Sequence, residues 1–260
     1  TNMTRRYARA PVGERAVGHA PVNWKRLTVL GALGPDGVVT MTTVTTGTTI
    51  PVVLDFLQAT LLPVLRERKP DAILVAPTDT KAMIPPLTQA KAAGIKLVFV
   101  DTTTENGAEL AESEIASDNE EGGREAARAL AELTGGKGSV FVVNVKPGIS
   151  TTDARAKGFE EEIKNTPGLK YVGVEYSNDK PEVAAAKTTA LLAAHPDLVG
   201  IFGTNLFSAE GAATGLRSAG ATEKVKIVGF DAGPKQVEDL EQGIVQALIA
   251  QKPADIGKAG

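Results

Sequence analysis

From residue 68 to the end of the chain, short apolar runs alternate with segments whose apolar residues recur at helical spacing. The runs are nearly continuous and rich in Val, Ile and Phe, which is typical of strands that are buried on both faces. The pattern predicts strands at residues 71–76, 96–101, 138–144, 170–174, 198–203, 225–231 and 245–250. Because strands and helices alternate, we expect an α/β fold of doubly wound parallel sheets covered by helices.

Helix boundary signals lie between these strands. A helix over residues 123–133 is predicted to end at the glycine pair that follows, and one over 152–165 has Asp153 as its capping residue. Pro181 suits the first turn of a helix over 181–194. Ser208 is the expected cap of a helix over 208–219.

The first 67 residues follow a different pattern. Two extended runs, at 27–33 and 38–46, are joined by a Gly-Pro-Asp-Gly turn, which predicts an antiparallel β-hairpin. A helical pattern over 50–68 follows it. No signal peptide is recognisable in this chain. No apolar run reaches the roughly 18 residues that a membrane-spanning helix requires.

The composition excludes several kinds of catalytic and metal-binding site. The chain of 260 residues has no cysteine and two histidines. The absence of cysteine excludes disulfides, thiolate metal sites and cysteine nucleophiles. Two histidines leave little from which to build a zinc site or a histidine-based triad. We therefore expect no catalytic residues, no metal and no cofactor.

The charge is distributed unevenly along the chain. Residues 1–30 hold six basic side chains and one acidic side chain, which gives +5. The other 230 residues hold 28 − 6 = 22 basic and 31 − 1 = 30 acidic side chains, which gives −8. This asymmetry fits either a nucleic-acid-binding arm or two segments of different origin.

Polar side chains stand where the predicted parallel strands end. Asp101 with Thr102, Asn144, Asn205 and Asp231 each follow a strand. Ligands of open α/β sheets bind beyond these carboxyl ends. Carboxylates, amides and hydroxyls there suit a neutral ligand with many hydroxyl groups. The alternative is that each residue caps the helix that follows it.

Seven short stretches carry a family resemblance, in the order APTDT (76–80), IKLVFVD (95–101), IASDNEEGG (115–123), ARAKGF (154–159), LVGIFGTN (198–205), IVGFD (227–231) and IAQKPADI (249–256). With them, residues 68–260 resemble the ribose-binding type of periplasmic sugar-binding protein, whose fold is shared by the effector domains of LacI-type regulators. The resemblance implies a type I clamp with an N-terminal lobe of residues 1–117 and 252–260 and a C-terminal lobe of residues 118–251.

The same resemblance implies roles for particular residues. Asp101 would be the ligand carboxylate of the first lobe, and Arg155 would bind sugar hydroxyls from the second lobe. Asn205, Asp231 and Gln251 would complete the polar shell, with Thr102 and Asn144 beside it. The hinge would cross at residues 117–119 and again near Gln251.

The chain departs from this family at several points. Many relatives have arginine at the position of Thr102, and aspartate at the position of Leu206. The first strand of the family, its loop with stacking aromatic residues and its first helix have no recognisable counterpart. We therefore expect a first lobe that begins with an atypical β-hairpin and lacks the C-terminal helix of the family.

Residues 1–67 resemble the start of the catalytic domain of Tc1/mariner-like insertion-sequence transposases, on the stretches RRYARAPVGERAVGHAPVNW (5–24) and TVLGALGPDG (28–37). The first catalytic aspartate of that family would precede residue 1, and Ala76 stands near the place of the second. Two-metal catalysis requires carboxylates that hold the ions. The resemblance thus implies a chimeric N-terminus without transposase activity.

The sugar-binding resemblance decides the expected function. It implies a non-catalytic, extracytoplasmic solute receptor of an ABC-type importer, which binds a small sugar or polyol and contacts a membrane permease. We expect a monomer that does not bind nucleic acid. The alternative is an inactive, transposase-derived DNA-binding protein that uses the basic N-terminal arm.

Overall fold

A computed structural model describes residues 28–34, 37–44, 55, 59–60, 63–64 and 70–260 of the chain. The basic segment before residue 28 and most of the helix predicted over 50–68 lie outside the described residues. The chain divides into two compact units, one of residues 1–71 and 85–95, the other of residues 72–84 and 96–260. No helix in the described part is long and apolar enough to cross a membrane.

The first unit contains the β-hairpin that the sequence predicts. Strand β1 (Thr28–Gly34) pairs antiparallel with β2 (Gly37–Val44), with a register irregularity between Ala32 and Leu33. The two strands form a two-stranded sheet of their own. This unit also holds most of helix α1 (Ile84–Ala92), which has no counterpart among the predicted helices.

The second unit contains two parallel sheets. The smaller has the order β3-β4-β5, built from β3 (Ala72–Val75), β4 (Lys96–Val100) and β5 (Ser113–Ile115), with the short helix α2 (Gly107–Leu110) before β5. The larger consists of β6 (Gly138–Asn144), β7 (Leu169–Tyr176), β8 (Leu198–Gly203), β9 (Lys226–Phe230) and β10 (Ala247–Ile249). Its strand order is β10-β9-β8-β6-β7. All pairs in both sheets are parallel, as the alternation of elements predicts.

Six further helices follow in this unit. They are α3 (Asn119–Leu133), α4 (Ser150–Lys164), α5 (Pro181–Ala194), α6 (Leu206–Ser218), α7 (Pro234–Glu241) and α8 (Pro253–Ala259). The chain passes from the smaller sheet to the larger between β5 and α3, and β10 leads to α8 at the other end. We call residues 116–118 and 250–252 the two crossing segments.

Two clusters of buried side chains cover the two faces of the larger sheet. Successive residues of β6 point to opposite faces, so Phe141 and Val143 join one cluster while Val140 and Val142 join the other. The first cluster includes residues of α5 and α6, and the second includes residues of α3 and α4. In the second cluster, Phe159 stacks on Phe202 with ring centroids 5.1 Å apart. This two-sided covering confirms the predicted α/β class.

Two predicted helix caps are wrong. Asp153 lies inside the first turn of α4, where its carboxylate accepts hydrogen bonds from the backbone of Gly148 and the side chain of Asn144. Ser208 lies inside α6, and its backbone N–H donates to the side chain of Asn205, which is the actual cap. In both cases the helix begins two residues earlier than predicted. For α6 the reason is the cap at Asn205, whereas Ile149, at the cap position of α4, makes no side-chain cap hydrogen bond.

Candidate functional site

Two aspartates hold equivalent places at the ends of strands in the two sheets. Asp101 follows β4 and Asp231 follows β9, and both adopt positive φ, 66° and 74°. The backbone N–H of Asp101 donates to Ile115 O at 2.8 Å, and that of Asp231 donates to Ile249 O at 2.9 Å. Aspartate tolerates this left-handed conformation better than most residues with a side chain. The backbone therefore fixes both carboxylates at the edge where ligands of such sheets bind.

Arg155, on α4, is a buried cation that interacts electrostatically with both aspartates. It is 3% exposed, and its Nε donates to Asn119 Oδ1 at 2.8 Å. Its Nη1 donates to the carbonyl of Thr204 at 2.9 Å. The guanidinium carbon lies 3.6 Å from the centroid of the Phe230 ring, a cation–π contact. These contacts hold the guanidinium in one orientation.

The electrostatics connect Arg155 to both carboxylates. Burial lowers the pKa of Arg155 to about 10, and the charges of Asp231 and Asp101 oppose that shift. Burial raises the pKa of Asp101 above its ordinary value; Arg155 opposes this, and the charge of Asp231 adds to it. The structure thus brings Asp101, Arg155 and Asp231 within electrostatic range of each other. Two acceptors beside a rigid donor can bind adjacent hydroxyl groups.

Gln251 connects the second aspartate to both crossing segments. Its Nε2 donates to Asp231 Oδ1 at 2.6 Å, and its Oε1 accepts from Ser117 Oγ at 2.9 Å. Ser117 lies in the first crossing segment and Gln251 in the second. The two connections between β5 and α3 and between β10 and α8 are therefore hydrogen-bonded to each other.

The two asparagines of the predicted site are largely occupied inside the protein. Asn205 Oδ1 accepts from Ser208 N at 3.0 Å, and its Nδ2 donates to Asp179 Oδ1 at 2.8 Å. Asn144 is 1% exposed, and its Nδ2 donates to Asp153 Oδ1 at 3.1 Å.

The side-chain oxygen of Asn144 is engaged as well. It accepts from Val145 N at 2.7 Å and from Thr204 Oγ1 at 2.8 Å. Direct contact between Asn144 and a ligand would have to replace some of these bonds. The side chain of Asn144 thus connects the end of β6 to Asp153 and to Thr204.

A cavity of about 300 Å³ adjoins the first aspartate. Of the predicted site residues, Asp101 and Thr102 line it, whereas Arg155, Asn144, Asn205, Asp231 and Gln251 do not. Its walls come from the end of β4, from β5 with the first crossing segment, and from the N-terminal turns of α3 and α4. This volume is at the lower end of the range for small-molecule pockets.

Sequence reasoning missed several residues that shape the site. Thr204 and Phe230 contact Arg155, although neither is among the predicted site residues. Asn119 appeared only as part of the hinge stretch, yet it holds the guanidinium directly. The one available signal was position, because Thr204 and Phe230 lie next to Asn205 and Asp231 at strand ends.

Parallel α/β sheets with carboxylates at their strand ends, and a buried arginine supplied by α4, are typical of small-molecule-binding proteins. Residues 57–260 match the periplasmic binding protein domain, and the chain belongs to that family. The match begins before residue 68, where the sequence resemblance was recognised.

Individual relatives agree with this family. The ribose import binding protein RbsB of Bacillus subtilis strain 168 is 30% identical over 188 residues, which are 72% of this chain and 60% of that protein. An ABC transporter solute binding protein from Agrobacterium vitis, solved with α-D-tagatopyranose, is 43% identical with a TM-score of 0.73. That comparison covers 82% of this chain and 71% of the other.

A third relative is an ABC transporter periplasmic solute binding protein from Actinobacillus succinogenes with bound D-allose. It is 33% identical with a TM-score of 0.70, over 76% of this chain and 72% of the other. The chain spans 51% to 62% of the length of the curated relatives that it matches. These comparisons lend no support to the transposase resemblance, and most of residues 1–67 lie outside the described part of the chain.

Proposed function

We propose that this chain binds a small sugar or polyol, without chemistry, as the solute receptor of an ABC-type importer. The observation that carries the proposal is the buried Arg155, fixed by Asn119, Thr204 and Phe230 and electrostatically coupled to Asp101 and Asp231. The relatives solved with D-tagatose and D-allose support a monosaccharide as the ligand class.

The proposed protein is a clamp of two lobes. The N-terminal lobe comprises residues 1–117 and 252–260, and the C-terminal lobe comprises residues 118–251. The crossing segments act as the hinge, and the Ser117–Gln251 hydrogen bond makes them move together. A few residues at element ends can absorb the backbone rotation that such closure needs.

Each site residue has a proposed role. Asp101 and Asp231 accept hydrogen bonds from ligand hydroxyls, and Arg155 donates to them. Asn205 contributes the amide hydrogen that Asp179 leaves free. Thr102 lies beside Asp101 in the wall of the cavity. Gln251 and Asn144 hold Asp231 and the β6–α4 loop in place.

The location, oligomeric state and partner that we propose follow from the family. The receptor works outside the cytoplasm, as a monomer, and delivers its ligand to a membrane permease. A bound sugar leaves unchanged, so no catalytic residue, metal or cofactor takes part. The names of the relatives, which include import binding proteins and ABC transporter components, support this role.

Isothermal titration calorimetry with D-ribose, D-allose and D-tagatose tests the proposal. We expect one of these sugars to bind to the parent chain and to bind about tenfold to 100-fold more weakly to Asp231→Asn, because a hydrogen bond to a charged group contributes about 1.5–3 kcal/mol. Lys164→Met, which removes an exposed ion pair with Glu160 on the outside of α4, is the matched control and should bind as the parent does.

Two outcomes would contradict the assignment. If none of the three sugars binds, the ligand class is wrong. If a sugar binds equally well to the parent, to Asp101→Asn and to Asp231→Asn, the site lies elsewhere. Asparagine is the informative substitution, since it tolerates the positive φ at both positions.

A further inference from the structure

Three contacts connect loops of the smaller sheet to the loop between β6 and α4 of the larger sheet. The backbone N–H of Thr80 donates to Gly148 O at 2.9 Å, and that of Thr103 donates to Ser150 Oγ at 2.9 Å. Lys146 Nζ lies 3.8 Å from Asp79 Oδ2. None of the three contacts involves a crossing segment, so the two sheets are joined here by contacts that can break.

On the side of the larger sheet, the β6–α4 loop is held in place by hydrogen bonds of its own. Asp153 Oδ2 accepts from the backbone N–H of Gly148 at 2.7 Å, and Asp153 Oδ1 accepts from Asn144 Nδ2 at 3.1 Å. Asn144 Oδ1 in turn accepts from Val145 N at 2.7 Å. The end of β6 and the first turn of α4 therefore fix the loop that presents Lys146 and Gly148.

On the side of the smaller sheet, the loop after β3 is likewise held by its own hydrogen bonds. Asp79 Oδ1 accepts from the backbone N–H groups of Lys81 at 3.0 Å and Ala82 at 2.9 Å, which leaves Oδ2 for Lys146. Thr80 O accepts from Glu105 N at 3.0 Å, which ties the loop after β3 to the segment after β4. The loop after β3 and the β6–α4 loop are each held by their own hydrogen bonds. They can therefore form these contacts in one relative position only, because a change in either loop would break those bonds.

We propose that Asp79, Thr80 and Thr103 on one side and Lys146, Gly148 and Ser150 on the other form a closing latch, which stabilises the closed clamp before any ligand is bound. The latch rests on the proposed function, since it needs two lobes that open and close. Contacts present only in the closed form shift the population toward it and raise the apparent affinity for a ligand that binds that form. They also slow the escape of a bound ligand.

The ion pair makes the latch sensitive to salt. The Lys146 and Asp79 side chains are 31% and 16% exposed, so water and ions reach the pair. A partly exposed pair of this kind changes an equilibrium by a modest factor, about threefold, and is screened at high ionic strength.

Distance measurements on ligand-free protein test the latch directly. The chain has no cysteine, so Glu112→Cys and Glu182→Cys, exposed positions on the two sides, can carry spin labels without background. Pulsed electron paramagnetic resonance should show a closed and an open distance. We expect Lys146→Met and Asp79→Asn each to lower the ratio of closed to open molecules about threefold, and the double variant to lower it no further.

The controls separate the latch from a general effect of charge. Lys157→Met removes an exposed lysine that pairs with Glu120 and Glu161 within the larger-sheet side, and it should leave the distances unchanged. Raising sodium chloride from about 0.05 M to about 1 M should lower the closed fraction of the parent but not that of Lys146→Met. Ser150→Ala, which removes the acceptor for Thr103, should act in the same direction as Lys146→Met.

The outcomes distinguish the latch from the proposed function. Equal distance distributions for the parent, Lys146→Met and Asp79→Asn, or a single open distance in the parent, would overturn the latch whether or not a sugar binds. A latch effect in a chain that binds none of the three sugars would refute only the ligand class. Where a sugar binds, its dissociation rate should rise about threefold in Lys146→Met.

Discussion

Asp101 and Asp231 sit at positive φ, which few residues with a side chain adopt. In this conformation the backbone N–H of each donates to a carbonyl at the end of the neighbouring strand. The backbone geometry by itself therefore places the two carboxylates, without a contribution from side-chain partners. This explains why asparagine, and not alanine, is the substitution that separates charge from conformation at these positions.

The burial of Asp101 predicts a pH-dependent stability. Because its pKa is raised above 3.8, the folded protein holds this proton more tightly than the unfolded chain. The ionised carboxylate thus lowers stability near neutral pH, and this cost disappears as the pH falls through the raised pKa toward 3.8. We expect Asp101→Asn to be at least as stable as the parent at about pH 7, with the difference narrowing toward about pH 4.

Urea unfolding of both proteins across this pH range measures the difference. Comparison with the parent at each pH cancels the contributions of the other carboxylates. A variant that is clearly less stable than the parent near neutral pH would show that the attraction to Arg155 outweighs the burial of the carboxylate.

Arg155 predicts a large loss of stability when it is replaced. Arg155→Met leaves Asn119 Oδ1 and the carbonyl of Thr204 without this donor in a buried place. We expect the free energy of unfolding to fall by about 2–4 kcal/mol, as measured by urea denaturation. Lys164→Met, on the same helix but exposed, should change it by less than about 0.5 kcal/mol. Similar values for the two variants would show that Arg155 is not a structural anchor.

At the scale of elements, α3 and α4 approach each other closely because glycines face the partner helix. A Cβ at Gly123 would lie 2.0 Å from the carbonyl oxygen of Arg155, and one at Gly158 would lie 1.9 Å from that of Glu120. Around this contact, Arg124 and Arg128 of α3 pair with Glu161 and Glu162 of α4. The close approach also carries Arg155 to Asn119, so helix packing and site geometry have the same cause.

A matched pair of glycine substitutions tests this packing. Gly158→Ala should destabilise the protein by about 1–3 kcal/mol, because the backbone it would meet cannot yield. Gly257→Ala, in α8, meets nothing within 4 Å and should stabilise by up to about 1 kcal/mol through helix propensity alone. Thermal or urea unfolding of both variants gives the comparison. Stabilisation by both substitutions would contradict the close packing.

At the scale of the whole molecule, the larger sheet with its helices on both faces carries two clusters of buried side chains within residues 70–260, and the smaller sheet adds the edge that carries Asp101. A ligand that contacts Asp101 and Asp231 together would bind to both sheets at once. Its binding would stabilise the second unit as a whole, since only the folded arrangement offers both carboxylates.

A thermal shift measures this coupling. At a concentration about 100 times its Kd, a sugar that binds should stabilise the folded protein by about 2.7 kcal/mol, which raises Tm by roughly 5–10 °C for a unit of this size. Asp231→Asn at the same sugar concentration should shift by much less, and the Lys164→Met control should shift as the parent does. An equal shift in Asp231→Asn would place the stabilising contact outside the proposed site.

The sequence by itself determined the elements whose signals are local. The strands at 138–144 and 198–203 and the helix at 181–194 have the predicted bounds, because a buried parallel strand reads as one apolar run and Pro181 marks a helix start. The β-hairpin follows equally from its turn residues. Polar residues at strand ends indicated the edge that carries Asp101 and Asp231.

Only the tertiary structure decided the features that depend on distant partners. β5 has three residues with no apolar pattern and exists as a strand through its pairing with β4. The sequence places Asn144 at a strand end, but its hydrogen bonds to Asp153 and Thr204 depend on segments that only the fold brings together. Arg155 is rigid because Asn119 and Phe230, far apart in the chain, meet around it. Local sequence fixes backbone preferences, whereas the partner of a polar side chain is chosen by the packing of segments that are far apart in sequence.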